Sequence, residues 1–180
     1  MTLPFIETER LVIRPFEEPD VAPFAALAGV PSRARMMGSV PLPFTEDEAR
    51  DWLDKRSWDN PPGYFLAITD RAGVLLGGMG PGPAPAFDFG YVLSRAAEGR
   101  GIATEAGRAV IAAIFAAPDA PQSLTAGCFT DNPASARVLT KLGFRLESTE
   151  EGRSRARLEP CPVWKYRLTR ESFGGGCEIS

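Results

Sequence analysis

Apolar residues along this chain keep changing period, and each change marks the edge of an element. Leu11, Val12 and Ile13 form a short apolar run that predicts a first strand. Asp20 then precedes VAPFAALA, in which Val21, Phe24 and Leu27 or Ala28 share one helical face and Gly29 supplies a stop. Residues 30–44 contain Pro31, Gly38, Pro41 and Pro43, which permit only a loop with a short helical piece. Met36, Met37, Leu42 and Phe44 make that loop apolar, which suits either a segment tucked onto the core or one lining a substrate site. Thr45 with Glu48 three residues later is a capping box opening a helix through Ala49, Trp52, Leu53 and Arg56.

Beyond a turn at Pro61-Pro62-Gly63, Tyr64–Thr69 and Val74–Met79 read as two strands joined by a hairpin at Asp70–Gly73. Phe87, Phe89, Tyr91 and Leu93 alternate with Asp88, Gly90 and Val92, the period of a third strand. Thr104 and Glu105 open a helix whose buried face carries Val110, Ile111, Ile114 and Phe115. Leu124–Phe129 is a strand. Asn132 suits an N-cap and Pro133 the first helical position, and Ser135, Val138, Leu139 and Leu142 follow on one face. Gly143 closes that helix and Phe144 begins a further strand. Residues 148–162, of mixed charge, read as a solvated loop, Val163–Leu168 as the last strand, and residues 172–180 as a flexible tail after a single domain spanning 1–171. The order predicts a mixed α+β (α/β) domain whose sheet is twisted, mostly antiparallel and flanked by helices.

Composition narrows the chemistry. The 180 residues carry a net charge of -3, which offers no basic field for nucleic acid. No apolar run approaches the roughly 20 residues that cross a bilayer, and the N-terminal stretch lacks a secretory core, so a cytoplasmic protein is expected. Cys128, Cys161 and Cys177 are odd in number and far apart, which argues against a disulfide framework or a zinc site. The chain has no histidine, which removes Ser-His and Cys-His pairs and makes a catalytic metal site an unsuitable reading.

The segment Gly99-Arg100-Gly101-Ile102-Ala103 enters a helix N-terminus, where unpartnered N–H groups and the helix dipole favour a phosphate or pyrophosphate. The other glycine cluster, Gly77-Gly78-Met79-Gly80-Pro81-Gly82, is followed by Pro83-Ala84-Pro85, which cannot open the helix that a nucleotide loop needs. A Rossmann dehydrogenase is excluded because no acidic ribose-binding residue follows at the expected distance.

Four pieces in this order, TERLVIRPF, DFGYVLS, EGRGIATEA and DNPASARVLTKLGF, resemble the Gcn5-related N-acetyltransferases (GNAT), most of all the RimJ/RimL-type branch, over roughly residues 8–170. The resemblance implies a splayed pair of strands in the sheet and acetyl-CoA as the acetyl donor, with no metal. It implies that Gly99, Arg100, Gly101, Ile102, Ala103 and Thr104 hold the pyrophosphate. Val92 and Leu93 would pair with the pantetheine, Asn132 would help to hold it, and Ser135 would be the acid that protonates the departing thiolate. Glu98 stands where the family has a basic or aromatic residue, and Leu139 where many members have a tyrosine acid.

On this reading an amine attacks the thioester directly, and most of the acceleration comes from orientation. A backbone N–H near Val92 is a candidate oxyanion donor. Asp88 is the candidate base, with Glu147 competing. An α-amine with a pKa near 8 is about one-tenth neutral at pH 7, whereas a lysine-like amine near 10.4 is neutral less than about once in a thousand. A peptide N-terminus is therefore the favoured acceptor, with a small-molecule amine (polyamine, antibiotic or amino acid) as the alternative. A non-catalytic acyl-CoA-binding module is the alternative of another class. The sequence is compatible with a monomer or a homodimer.

Overall fold

Two antiparallel sheets meet at a single parallel bridge between Asp88 and Thr125. The computed structural model describes residues 5–58 and 63–174, so the turn expected at Pro61-Pro62 lies outside the described residues. The first sheet is a five-stranded meander in the order β1 (Ile6–Glu7), β2 (Leu11–Pro15), β3 (Leu66–Asp70), β4 (Leu75–Pro81) and β5 (Phe89–Leu93). The second has the order β6 (Ser123–Phe129), β8 (Cys161–Thr169), β7 (Arg145–Gly152). Helices α1 (Val21–Ala28), α2 (Pro31–Ala34) and α3 (Glu46–Asp54) lie between β2 and β3 in the chain. Helix α4 (Ile102–Ala116) joins β5 to β6, α5 (Pro133–Lys141) joins β6 to β7, and α6 (Arg170–Gly174) follows β8.

Alternation along β5 divides the core. Phe89 and Leu93 pack with Ile102, Val110, Ile111 and Leu139 in one buried cluster. Val92, on the opposite face, packs with Phe24, Trp52 and Phe65 in the other. The glycines of β4 serve this packing: a Cβ at Gly77 would lie 2.1 Å from the Val92 carbonyl oxygen, and one at Gly80 would lie 2.1 Å from that of Tyr64. The GGMG run is therefore strand, placed where backbones approach too closely for side chains.

Several boundaries differ from the sequence expectation. Strand β1 is too short to show a period. Strand β3 begins at Leu66 rather than Tyr64, and Phe87 has a φ of +45°, a turn conformation that delays β5 to Phe89. Helix α4 begins at Ile102, two residues before Thr104, because Gly101 adopts φ +77° and turns the chain into the helix early. Residues 148–152 belong to β7, not to a loop; this edge strand is exposed along nearly its whole length, so no apolar alternation marks it. Phe173 packs 5.6 Å from Phe115, although its sequence context carries no packing signal, and the described chain ends at Gly174.

Candidate active site

The glycine-rich loop is shaped by two left-handed residues, Gly99 at φ +71° and Gly101 at φ +77°. A non-glycine residue would be strained at either position. Gly101 is the N-cap of α4 and brings no side chain to cap it. The helical hydrogen bonding starts with Glu105 N–H donating to the Gly101 carbonyl at 3.0 Å, so the amides of Ile102, Ala103 and Thr104 are those left without helical acceptors. Arg100 does not line the cavity; its guanidinium turns back to the Ala96 carbonyl at 3.2 Å.

A clamp from the first sheet holds this loop, and nothing in the sequence flagged it. Arg10 donates to Glu105 Oε2 at 2.6 Å and to the Arg100 carbonyl at 3.0 Å, while the Thr8 hydroxyl donates to Glu105 Oε1 at 2.5 Å. Partial burial pushes the Glu105 carboxyl up, but the bonds from Thr8 and Arg10 outweigh it and hold the pKa below its ordinary value.

Beyond the Asp88–Thr125 bridge, β5 and β6 separate, and the gap is the expected splay. Register decides which backbone groups face it. Gly82 N–H donates to the Asp88 carbonyl and Ser94 N–H to the Leu76 carbonyl, so the even-numbered residues of β5 are the hydrogen-bonded partners of β4, and Val92 pairs with Gly78. The groups free to face β6 are those of Tyr91 and Leu93. The candidate oxyanion donors near Val92 are therefore its neighbours, since the N–H of Val92 itself is spent within the sheet. The Leu93 carbonyl already accepts from Arg33 Nε at 2.9 Å. Arg33 also lies 3.3 Å from Glu98, so the carboxylate beside the loop has a cationic partner.

Across the gap, the Asn132 side chain accepts from Ser135 N–H at 3.2 Å and caps α5. That sets Ser135 in the first turn, on the cavity wall. Its hydroxyl shares this stretch of the wall with the phenol of Tyr91 from β5 and the thiol of Cys128 from β6, near enough to bear on the pKa of each. Burial raises the Tyr91 phenol above its ordinary pKa, against the opposing pull of Ser135, and pushes the Cys128 thiol up to about 11. Both are therefore protonated at neutral pH. Tyr91 counted in the sequence only as an apolar position of the strand; that its hydroxyl would meet Ser135 depends on the register of β5 against β6.

These groups line one cavity of about 1040 Å³, large enough for a cofactor of drug size or more. Its wall includes Asp88, Val92, Leu93, Gly99, Gly101, Ile102, Ala103, Thr104, Asn132 and Ser135, ten of the eleven residues singled out from sequence. Asp88 is exposed there, accepting from the Thr125 hydroxyl at 3.2 Å. Glu147 is not part of the wall; it lies on β7, paired with Arg167 at 2.6 Å, and leaves the contest for the base. The far end is formed by Met36, Met37, Trp52, Arg56 and Tyr64. Arg56 lies 3.9 Å over the Trp52 ring. The loop after β7 does not reach the cavity but fixes the segment that does: Ser154 Oγ donates to the Met37 carbonyl at 3.0 Å, and Arg157 Nε to the Arg35 carbonyl at 2.8 Å. Among the described residues there is no cluster of side chains suited to a metal ion.

The cradle suits a coenzyme A ester on its own geometry. It offers unpartnered amides at the loop for a pyrophosphate and strand-like backbone groups in the gap for an amide-bearing arm. Residues 10–145 match the family model described as an acetyltransferase (GNAT) domain. Similar folds include an acetyltransferase of the GNAT family from Bacillus anthracis (22% identity, TM-score 0.78, covering 93% of this chain and 99% of that one). Another is RimL, a ribosomal L7/L12 α-N-protein acetyltransferase in complex with coenzyme A (17%, TM-score 0.79, 92% and 98%). A third is a spermidine N-acetyltransferase from Vibrio cholerae in complex with CoA and spermine (15%, TM-score 0.77, 92% and 99%). No curated protein sequence matches the chain.

Proposed function

Because this chain belongs to the GNAT acetyltransferase family, we propose an α-amine at a peptide N-terminus as the acceptor of its acetyl group. The family makes it an acetyl-CoA-dependent N-acetyltransferase; the acceptor and the RimJ/RimL-type branch are this proposal's own. The fold is common to a ribosomal α-N-acetyltransferase and to a spermidine N-acetyltransferase, so the acceptor is argued from the cavity.

The observation that carries the proposal is the charge of the cavity wall. Among the described residues Arg33, Lys55, Arg56, Arg95, Arg137 and Lys141 contribute to it, against Asp88 and Glu98, and Glu98 is paired with Arg33. A polyamine brings several positive charges and would meet a wall of its own sign. A peptide N-terminus brings one amine of low pKa, already about one-tenth neutral at pH 7, and needs little help to lose its proton. Asp88, exposed where β5 and β6 part, is the carboxylate of the cavity wall that would take that proton, directly or through water.

Acetyl-CoA supplies the activated acetyl thioester when bound. The amides of Ile102, Ala103 and Thr104 would hold the anionic end, and Asn132 with the backbone of β5 would align the arm. The free N–H groups of Tyr91 and Leu93 face the gap and are placed to stabilise an oxyanion. Ser135 is the hydroxyl at the sulfur end. The unpaired Cys128 and Cys161 fit a reducing cytoplasm. Among the described residues no helix is long and apolar enough to cross a membrane.

The test is thiol release from acetyl-CoA across dipeptides with free N-termini, polyamines, aminoglycosides and amino acids. Dipeptides are expected to lead. Turnover of spermidine far above any peptide would reject the α-amine, and coenzyme binding without any acceptor-dependent release would identify a binding module.

A further inference from the structure

Parity places Tyr91 and Cys128 opposite one another. Asp88 and Thr125 form the parallel bridge, and their side chains meet on one face at 3.2 Å. Three residues further along each strand, Tyr91 and Cys128 lie on the other face, at the same level of the opening gap. Helix α5 enters from that face with Ser135 in its first turn, fixed by the Asn132 cap. Three X–H groups thus converge on the cavity wall where β5 ends its pairing with β6.

Ser135 alone is a poor source of a proton. An aliphatic hydroxyl is a much weaker acid than a phenol, so it cannot readily deliver one to a thiolate unless another group replaces it. Cys128 is a thiol like the leaving group and offers little driving force. The phenol of Tyr91 is the strongest acid available among hydroxyls at this point, and burial keeps it protonated across neutral pH.

We infer that Tyr91 is the proton source for the departing thiolate, passing its proton through Ser135. This rests on the acetyl-transfer reading above. The amine nitrogen bonds to the acetyl carbon while the carbon–sulfur bond breaks, its electron pair leaving with sulfur. Sulfur takes the Ser135 proton as Ser135 takes that of Tyr91. The proton shed by the attacking nitrogen to water, by way of Asp88, balances the one the phenolate then recovers. Tyr91 is thereby a positioning and proton-supplying residue behind Ser135, and it takes over the task that many relatives give to a tyrosine at the position of Leu139.

Tyr91→Phe removes the hydroxyl and leaves the ring in place. With acetyl-CoA and the best acceptor, kcat is expected to fall about 100-fold, within the range for lost acid catalysis. The loss should shrink to about threefold with an acetyl thioester of an acidic aryl thiol, which departs without protonation. Ser135→Ala should show the same leaving-group dependence, and the double variant should be no worse than either alone. An equal loss with both thioesters, or additive losses, would overturn the relay. A second measurement needs no acceptor: calorimetric affinity for coenzyme A itself from pH 7 to 10. The wild type should tighten relative to Tyr91→Phe as the thiol ionises, because the phenol, acting through Ser135, strengthens the donation to the thiolate. Identical pH profiles would reject the role of Tyr91. Failure of every amine in the panel would count against the acceptor reading alone and leave this titration decisive.

Discussion

Arg33 stands 3.3 Å from Glu98 and, through Nε, donates at 2.9 Å to the carbonyl of Leu93. One side chain thus neutralises the carboxylate beside the loop and ties the end of β5 to α2. A carboxylate next to a pyrophosphate repels it, and Arg33 offsets that repulsion. Glu98 is more than half exposed, so the pair itself contributes little stability. Its consequence lies in binding. Arg33→Ala should raise the Kd for acetyl-CoA about tenfold, roughly 1.4 kcal/mol. Adding Glu98→Gln should recover part of that loss. Calorimetry on the single and double variants decides it; equal affinities for wild type and Arg33→Ala would remove Arg33 from the site.

Gly101 carries two separable burdens, backbone and charge. At φ +77° any other residue costs about 1–2 kcal/mol, while a Cβ would meet only the Arg10 guanidinium at 3.5 Å. Gly101→Ala should therefore lower stability slightly and weaken acetyl-CoA only a few-fold. Gly101→Asp adds a negative charge where the loop amides point and should weaken it more than tenfold beyond Ala. Thermal melts and coenzyme titrations of the two proteins separate strain from charge, and unaltered affinity in Gly101→Asp would contradict the loop assignment.

The clamp on the loop makes acid a test. The Glu105 pKa is lowered in the folded protein, below its ordinary 4.5. A carboxyl held low contributes stability that is present above the unfolded pKa and lost as pH falls through the folded one. Glu105→Gln should cost about 1 kcal/mol near pH 7, or roughly 2–4 °C in Tm. The difference should shrink as pH falls through the lowered pKa of Glu105, because the wild type then loses the same charge. Melting curves from pH 3 to 7 show it as convergence; parallel curves would mean that the Arg10 contact is energetically idle.

The succession of strands and helices was legible because each element leaves a local mark, whereas the splay was an implication of the family resemblance; ten of the eleven residues singled out from sequence line the cavity. Alternation marks Phe89 to Leu93, glycine marks the loop, and Asn132-Pro133 marks a helix start. What escaped depends on distant pairs. Arg10 meets Glu105 across 95 positions, and Arg33 meets Glu98 across 65. Tyr91 looked apolar because its alternation was sound, yet its hydroxyl reaches Ser135 only once two sheets have met. Exposed β7 gave no period at all, since neither of its faces is buried for most of its length.

Asn132 offers the cleanest separation of structure from chemistry. Its Oδ1 accepts from Ser135 N–H at 3.2 Å, which is the work of a helix cap. The resemblance assigns it a second task, holding the pantetheine, for which the amide nitrogen is the available donor. Asn132→Asp keeps a capping oxygen, places a negative charge at the helix N-terminus where it is favourable, and removes the nitrogen. Tm should hold or rise slightly, while acetyl-CoA affinity falls about three- to tenfold. Asn132→Ala loses both functions: about 1 kcal/mol of stability goes with the cap, and Ser135 loses its anchor, so kcat should fall as well. If Asn132→Asp binds acetyl-CoA as tightly as the wild type, Asn132 is a cap and nothing more. The pantetheine must then be held by the backbone of Tyr91 and Leu93 alone.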